Sequence, residues 1–309
     1  MGEGKGFGKT ILFGEHFVVY GLEGMPAALG QITTAKVKKI KGEKGYELID
    51  NRPATEGYKI TKAGEYSALI NRVIEYMGVK EGIEITLGGD LKAASGAGAS
   101  AACAAAIARA INNEFKMNWD DEQINKAAFE GETAGSGTPS GIDNTVAVYG
   151  GFILFKKNLT GGENKIQLLK IKKPIEIVIG NSGLTALTKE VVGDVKKQKD
   201  KKPVEMKKIF EEYEKIEEEA KKAINNYDLK KLGELMNKNH SLLQKITVSC
   251  KELDEIVETA KSAGAYGAKL TGTGRGGLVI ALTPGKELQE KVAKAIEKKG
   301  CETIKTIIG

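Results

Sequence analysis

From Gly96 to Ala110 the chain reads GAGASAACAAAIARA, nine alanines in fifteen residues with no side chain larger than Arg109. Alanine is the strongest helix former, so this stretch predicts a helix over Ser100–Ile111, entered directly from a Gly-Ala-Gly-Ala turn. Two physical roles suit such a segment. Backbone amides in a glycine turn at a helix N-terminus can approach a phosphate closely and meet it with the positive end of the helix dipole, which would make Ser95 to Ser100 an anion site. Small residues also let a helix pack tightly against its neighbour. A nucleotide-binding P-loop is excluded, because no Gly-Lys-Ser/Thr follows.

The rest of the chain bounds the setting. With 309 residues, 41% of them hydrophobic and 28% charged, it is a folded soluble protein by composition and long enough for two lobes. No apolar run approaches the ~20 residues that span a bilayer, and Met1 to Gly8 lack the apolar stretch of a signal peptide, so the expected compartment is the cytoplasm, with no membrane partner. Cys103, Cys250 and Cys301 form no CxxC pair, so neither a disulfide framework nor a zinc site is indicated and each reads as a small core residue. The net charge of +6 comes from lysines that alternate with glutamates, as between Lys207 and Lys222, the pattern of solvated helix faces. Only four arginines occur, Arg52, Arg72, Arg109 and Arg275, where base readout leans on arginine and aromatics; no nucleic-acid partner is expected.

Helix and strand are mixed. Thr10 to Tyr20 holds two β-branched and aromatic runs around Gly-Glu-His and, with the strand-like alternation of Thr33–Ile40, predicts a β-hairpin or meander; Ile83–Leu87 also alternates as a strand. Apolar spacing predicts helices over Gly64–Met77 and Asp120–Gly135, the latter capped by Asp120 or Asp121. After the loop GSGTPSG, Val146–Phe155 reads as a strand pair, and the lobe boundary falls where glycine and lysine replace apolar periodicity, around Lys156–Asn164. The second half predicts a strand at Ile175–Ile179, long amphipathic helices (Val204–Asn225, Leu229–Ile246, Lys251–Ala263) and a final strand, helix and strand.

Three further segments carry chemistry. In GKTILFGEHFVVYG, Gly8 to Gly21, Lys9 precedes a strand and Glu15-His16 sit at a glycine turn; Lys9 could neutralise a phosphate or lower the pKa of a hydroxyl, and His16 could hydrogen-bond a substrate. A surface charge and a satisfied polar core group are the alternatives. Phe129 to Gly151 puts Glu132 near a helix end and Asp143 after a tight Pro-Ser-Gly turn; converging carboxylates could divide magnesium binding and proton acceptance, and otherwise serve as cap and turn acids. KLTGTGRGG, Lys269 to Gly277, is a glycine loop between apolar segments, weak by itself.

In this order, the segments resemble the GHMP kinase family over almost all of the chain, most closely its mevalonate-phosphorylating members. Galactose-specific members usually carry aspartate and tyrosine soon after Gly-Glu-His, where this chain has Val18, Val19 and Tyr20. The resemblance implies an α+β, two-lobed GHMP kinase fold with the active site in the cleft between lobes. The N-terminal kinase domain would be residues 1–165 and the C-terminal one 166–309. It implies ATP-dependent phosphorylation of mevalonate to 5-phosphomevalonate, with Mg²⁺, for isoprenoid synthesis. Dimerisation is common among relatives.

Residue by residue, Lys9 matches the lysine at the reacting hydroxyl and Asp143 the proposed base. Glu15 and His16 match the substrate-side Gly-Glu-His, and Thr188, in Leu187-Thr188-Lys189, a substrate contact. Ser95, Gly96, Ala97, Gly98, Ala99, Ser100 and Ala101 match the ATP phosphate loop, and Ser100 and Glu132 the magnesium ligands. Asp143 would act as a full base or only as an orienting acceptor, since a loose transition state needs little nucleophile activation. Departures are Gly6-Phe7-Gly8 before Lys9, Ala93-Ala94 for the usual Pro and Gly, Ala97 and Ala99 for Leu and Ser, and Arg275 where glycine is common, as a phosphate contact or a surface charge. The rival readings are another GHMP kinase, acting on phosphomevalonate, a different hydroxyl of mevalonate or a sugar, and a non-catalytic ligand sensor of this fold.

Overall fold

The computed structural model describes residues 1–41, 44–93, 96–136, 139–169 and 171–309. They form two compact units, each assembled from two pieces of chain: Met1–Lys9 with Ala28–Gly150, and Thr10–Ala27 with Gly151–Gly309. Strands β1 (Gly2–Phe13) and β2 (Glu23–Lys39) therefore contribute residues to both.

The first unit continues with β3 (Gly45–Asp50), α1 (Tyr58–Thr61), α2 (Ala63–Tyr76), β4 (Gly82–Gly89), α3 (Ala99–Phe115), α4 (Asp121–Ser136) and α5 (Ile142–Tyr149). β4 lies between β2, antiparallel with Val37 opposite Ile85, and β3, parallel with Leu48 opposite Ile85. Ile83, Ile85 and Leu87 turn one face of β4 into the core, which is the period-two alternation seen in the sequence. α2, α3, α4 and α5 pack on one another. α4 begins with a reciprocal cap, Gln123 N on Asp120 Oδ1 at 2.9 Å and Asp120 N on Gln123 Oε1 at 3.1 Å.

Ala101 to Ala108, Ala110 and Ile111 on α3 are buried. The reason lies in β1, whose residues Gly2, Gly4 and Gly6 turn a bare backbone face to the helix. A Cβ built on them would come within 2.2 Å of Ala110 O, 2.2 Å of Ala106 O and 2.1 Å of Ala102 O respectively. Those contacts recur every four residues along α3, one stripe of the helix. The small residues are thus a close helix–strand contact.

The second unit holds β5 (Phe152–Lys156), β6 (Lys165–Leu169), β7 (Ile175–Asn181), α6 (Thr188–Lys201), α7 (Pro203–Asn226), α8 (Leu229–Lys245), α9 (Lys251–Ser262), β8 (Gly267–Thr271), β9 (Leu278–Leu282), α10 (Lys286–Glu297) and β10 (Glu302–Ile308). β10, β7, β9 and β8 run antiparallel in that order, with Ile304 opposite Ile179 and Ile179 opposite Ile280. β5 pairs with β6 and, through Ala27 opposite Phe152, with the start of β2. α8 and α9 cover β8, and α10 covers β7 and β10.

Three sequence expectations change. The run Phe17–Tyr20 is a single 3-10 turn and not the second strand of a hairpin. His16 at φ 62 and Gly21 at φ 81 turn the chain at either end, and Phe17 is buried, stacked on Tyr213 of α7 at 4.1 Å between centroids. Val146–Tyr149 belongs to helix α5, started by Gly141 at φ 88, so only β5 of the expected strand pair is a strand. Cys103 is a core residue, whereas Cys250 and Cys301 are partly exposed.

Candidate active site

In the first unit, Gly96 and Gly98 adopt the left-handed region, φ 72 and φ 74, and Gly98 caps α3. The first helical bond of the turn is Ala102 N to Gly98 O at 3.0 Å, so the amides of Ala99, Ser100 and Ala101 precede it and belong to the donor-rich helix start. Ala97 O accepts from Lys9 N at 2.8 Å, and a Cβ on Gly98 would stand 2.7 Å from Lys9 Cγ. The turn therefore lies flat on the Lys9 side chain, and only glycine fits there. Ala97, Ala99 and Ala101 turn their methyls into the interior. Ser95 lies outside the described residues, as do Ala94 and the loop residues Gly137 and Thr138.

Lys9 Nζ reaches Asp143 Oδ1 at 3.1 Å; the lysine side chain is 11% exposed and the aspartate 39%. Asp143 sits in the first turn of α5, a position that the Gly141 turn and the helix dipole favour for an acid. Ser100 Oγ donates to Glu132 Oε1 at 2.5 Å from the facing helix α4. Burial pushes the Glu132 carboxyl up to about 7, Ser100 pulls it down, the nearby Asp143 charge raises it and Lys9 lowers it. Lys9 thus pairs with Asp143 and also acts electrostatically on Glu132, in a partly dry setting. The donors are all oxygen, which suits a hard divalent cation. Among the described residues no group of three or more His, Cys, Asp or Glu could hold a metal. Ser100 and Glu132 fit Mg²⁺ in its usual mode, one or two protein oxygens with phosphates and waters.

In the second unit, Glu15 and Lys269 form an ion pair in which both side chains are fully buried, and Lys269 Nζ also donates to Leu270 O at 2.7 Å. Burial holds the Lys269 pKa below its ordinary value while Glu15 raises it. His16 Nε2 lies 2.7 Å from Thr273 O. A carbonyl only accepts, so Nε2 carries the proton and Nδ1 presents its lone pair; Nδ1 is buried without a hydrogen-bond partner among the described residues. Burial lowers the His16 pKa, the Thr273 carbonyl raises it and Arg275 lowers it, which keeps the ring neutral at neutral pH. Thr188, the first residue of α6, shares a hydroxyl hydrogen bond with Thr273 at 2.7 Å.

The predicted residues thus gather as two groups: Lys9, Asp143, Ser100, Glu132 and the Gly96–Gly98 turn in one unit, Glu15, His16 and Thr188 in the other. The resemblance matches Gly272–Gly277 to the C-terminal glycine motif that braces the active site but does not single out Thr273, which ties Thr188 to His16, and Lys269 reads only as the start of a loop. A lysine between Ala268 and Leu270 in a strand was the available signal, because a buried ammonium demands an acid. Arg275 is neither a free phosphate contact nor a lone surface charge: it donates to Asp194 Oδ2 at 2.7 Å and to Thr247 O at 3.0 Å.

Residues 66–151 match the family model of the GHMP kinases N terminal domain, and residues 220–302 that of GHMP kinases C terminal. A mevalonate kinase of Pyrococcus horikoshii is 35% identical over 313 positions, 94% of this chain and 91% of the relative. The crystal structure of L. major mevalonate kinase in complex with R-mevalonate matches with a TM-score of 0.94 at 37% identity, over 100% of this chain and 96% of that one. The Methanococcus jannaschii mevalonate kinase structure matches at 0.81 and 25% identity, over 99% and 98%. Two matching family domains and near-full-length relatives above 30% identity agree with the glycine turn, the lysine–aspartate pair and the Gly-Glu-His segment: the chain belongs to the GHMP kinase family.

Proposed function

We propose that this kinase transfers the γ-phosphoryl group of ATP to the C5 hydroxyl of mevalonate, forming 5-phosphomevalonate and ADP. The observation that carries the reaction is the Lys9–Asp143 pair at 3.1 Å beside Ser100 and Glu132; the choice of alcohol rests on the R-mevalonate bound by a relative 37% identical over the whole chain. Phosphoryl transfer asks the protein to position two reactants and neutralise charge. The amides at Gly96–Ala101 would face phosphate oxygens, and Ser100 and Glu132 would hold Mg²⁺, which offsets phosphate charge when bound. Asp143 accepts the hydroxyl proton as the new O–P bond forms and the bond to the β-phosphate oxygen breaks. Lys9 orients Asp143 and steadies the charge developing on the alcohol oxygen. Glu15, His16 and Thr188 serve the alcohol, with the His16 Nδ1 lone pair suited to accept from a hydroxyl. The family-domain boundary at 165/166 is part of the same reading.

Of the two cations that could meet the phosphate of phosphomevalonate, Lys189 and Arg275, the guanidinium of Arg275 is engaged by Asp194 and Thr247. The test is ADP release from MgATP against mevalonate, phosphomevalonate, galactose and homoserine. Turnover with mevalonate, lost in Asp143→Ala, is the expected result; turnover with another alcohol moves the substrate, and silence on all four with ATP bound would favour a sensor.

A further inference from the structure

Arg275 keeps a left-handed backbone, φ 51, which is easy for glycine and unfavourable for a residue with a Cβ. Something must hold it there, and its contacts show what. Its amide donates to Val248 O at 2.8 Å, its Nε to Thr247 O at 3.0 Å and its Nη1 to Asp194 Oδ2 at 2.7 Å. Asp194 lies on α6, whose first residue is Thr188. That helix is thinly anchored: of its fourteen residues only Val191 and Val195 are buried. The glycine loop itself is fixed elsewhere, through Gly277 N on Leu184 O at 2.8 Å and Ser182 N on Gly277 O at 2.9 Å, and it carries Thr273, the common partner of Thr188 and His16.

We propose that Arg275 is a positioning residue, whose fork clasps α6 through Asp194 and so sets the spacing of Thr188 and His16 that determines how tightly the alcohol substrate is held. The inference rests on the reading of Thr188 and His16 as alcohol-binding residues. An ordinary surface ion pair, one-third exposed as this one is, would do little. Here the arginine joins two elements, by carboxylate and by main-chain carbonyl, from a backbone conformation that disfavours it. Lysine, a point charge without a fork, would not replace it.

The test compares Arg275→Gly, Asp194→Asn and their double variant with Lys197→Ala as control, since Lys197 also pairs with Asp194, at 2.9 Å, but from within α6. Arg275→Gly removes the clasp and relieves the backbone, so its melting temperature should stay close to that of the parent. We expect each single variant to raise KM for mevalonate about tenfold, as small misplacements do, with kcat and KM for ATP within about twofold. The double variant should be no worse than the worse single, Arg275→Lys should fail to rescue, and Lys197→Ala should have no effect. Amide hydrogen exchange over Thr188–Lys196 should quicken in Arg275→Gly and Asp194→Asn whatever the substrate. Unchanged KM together with unchanged exchange would overturn the clasp, as would a rise in both KM values with a falling melting temperature or an equal effect of Lys197→Ala. A parent enzyme idle on mevalonate whose α6 still exchanges faster in both variants would sink the substrate reading and leave the clasp standing.

Discussion

Lys269→Met is the sharpest test of how the Gly-Glu-His segment is held. Methionine keeps the stem of the side chain as far as Cε and removes the charged nitrogen, leaving Glu15 fully buried without the ammonium it now faces. Breaking a buried pair by removing one partner costs about 3–5 kcal/mol, because the remaining charge has lost its compensation. At about 2–4 °C per kcal/mol for units of this size, the melting temperature should fall by roughly 6–20 °C. The companion Glu15→Gln/Lys269→Met exchanges the pair for two uncharged side chains and should recover most of the loss, as buried pairs often yield to neutral ones of similar volume. Urea unfolding of the parent, both single variants and the double variant closes the cycle and reads the coupling directly. Since Glu15 precedes His16, KM for mevalonate should rise in Lys269→Met before the protein melts. A loss below about 1 kcal/mol, or a double variant no more stable than Lys269→Met, would refute the claim that an uncompensated charge is what hurts.

Asp143→Ala should lower kcat by about two to four orders of magnitude, the range of a positioned proton acceptor, while titration with a fluorescent ATP analogue gives nearly the parent affinity; loss of nucleotide binding alone would contradict its role. Gly6→Ala puts a methyl 2.1 Å from Ala102 O, where backbone must move, and should cost about 1–3 kcal/mol in urea unfolding; an unchanged midpoint would mean that β1 does not lie flat on α3. Glu217, on α7 beside Lys221 and Glu23, is pushed up to about 7 by burial, so the folded state holds its proton more tightly than the unfolded one. Its contribution to stability is then fullest below about pH 4.5 and lost as pH rises through about 7. Glu217→Gln should flatten the melting-temperature profile across that window, and a parallel profile would exclude the effect.

The sequence located elements wherever one face was buried and the other wet. β4 alternates because Ile83, Ile85 and Leu87 point inward, and α7, α8 and α9 follow from apolar stripes among lysines and glutamates. It failed where that contrast is absent. α5 buries Asn144, Thr145, Val146, Ala147 and Val148 in succession, so no helical period shows. α6 buries only two valines in a polar run, too few to show a helical period. Phe17–Tyr20 has strand-like residue types, but its turn depends on an aromatic partner far along the chain, Tyr213, which no local pattern reveals. The site residues were found through the resemblance and not through spacing. Spacing alone could not choose between a capping acid and a catalytic one at Glu132 or Asp143, nor find the threonine that joins Thr188 to His16.

The two roles open to the small residues at Gly96–Ala110, anion turn or tight helix contact, are in fact one arrangement. Gly2, Gly4 and Gly6 rest on Ala110, Ala106 and Ala102, and the same strand face continues to Gly8, whose Cβ would stand 3.3 Å from Ala97 O. The next residue is Lys9, whose amide binds that same Ala97 carbonyl and whose stem fills the space under Gly98. A bare strand on a bare helix can slide only until its close contacts mismatch, so the glycine–alanine register fixes how far along α3 the lysine arrives. Methyl groups at positions 97 and 99 in place of larger side chains leave this untouched, because both point into the interior and what faces outward from the turn is backbone. The side chains at positions 97 and 99 are therefore free to depart from the usual family pattern. The strand glycines, which set Lys9 against the turn and so against Asp143, are not.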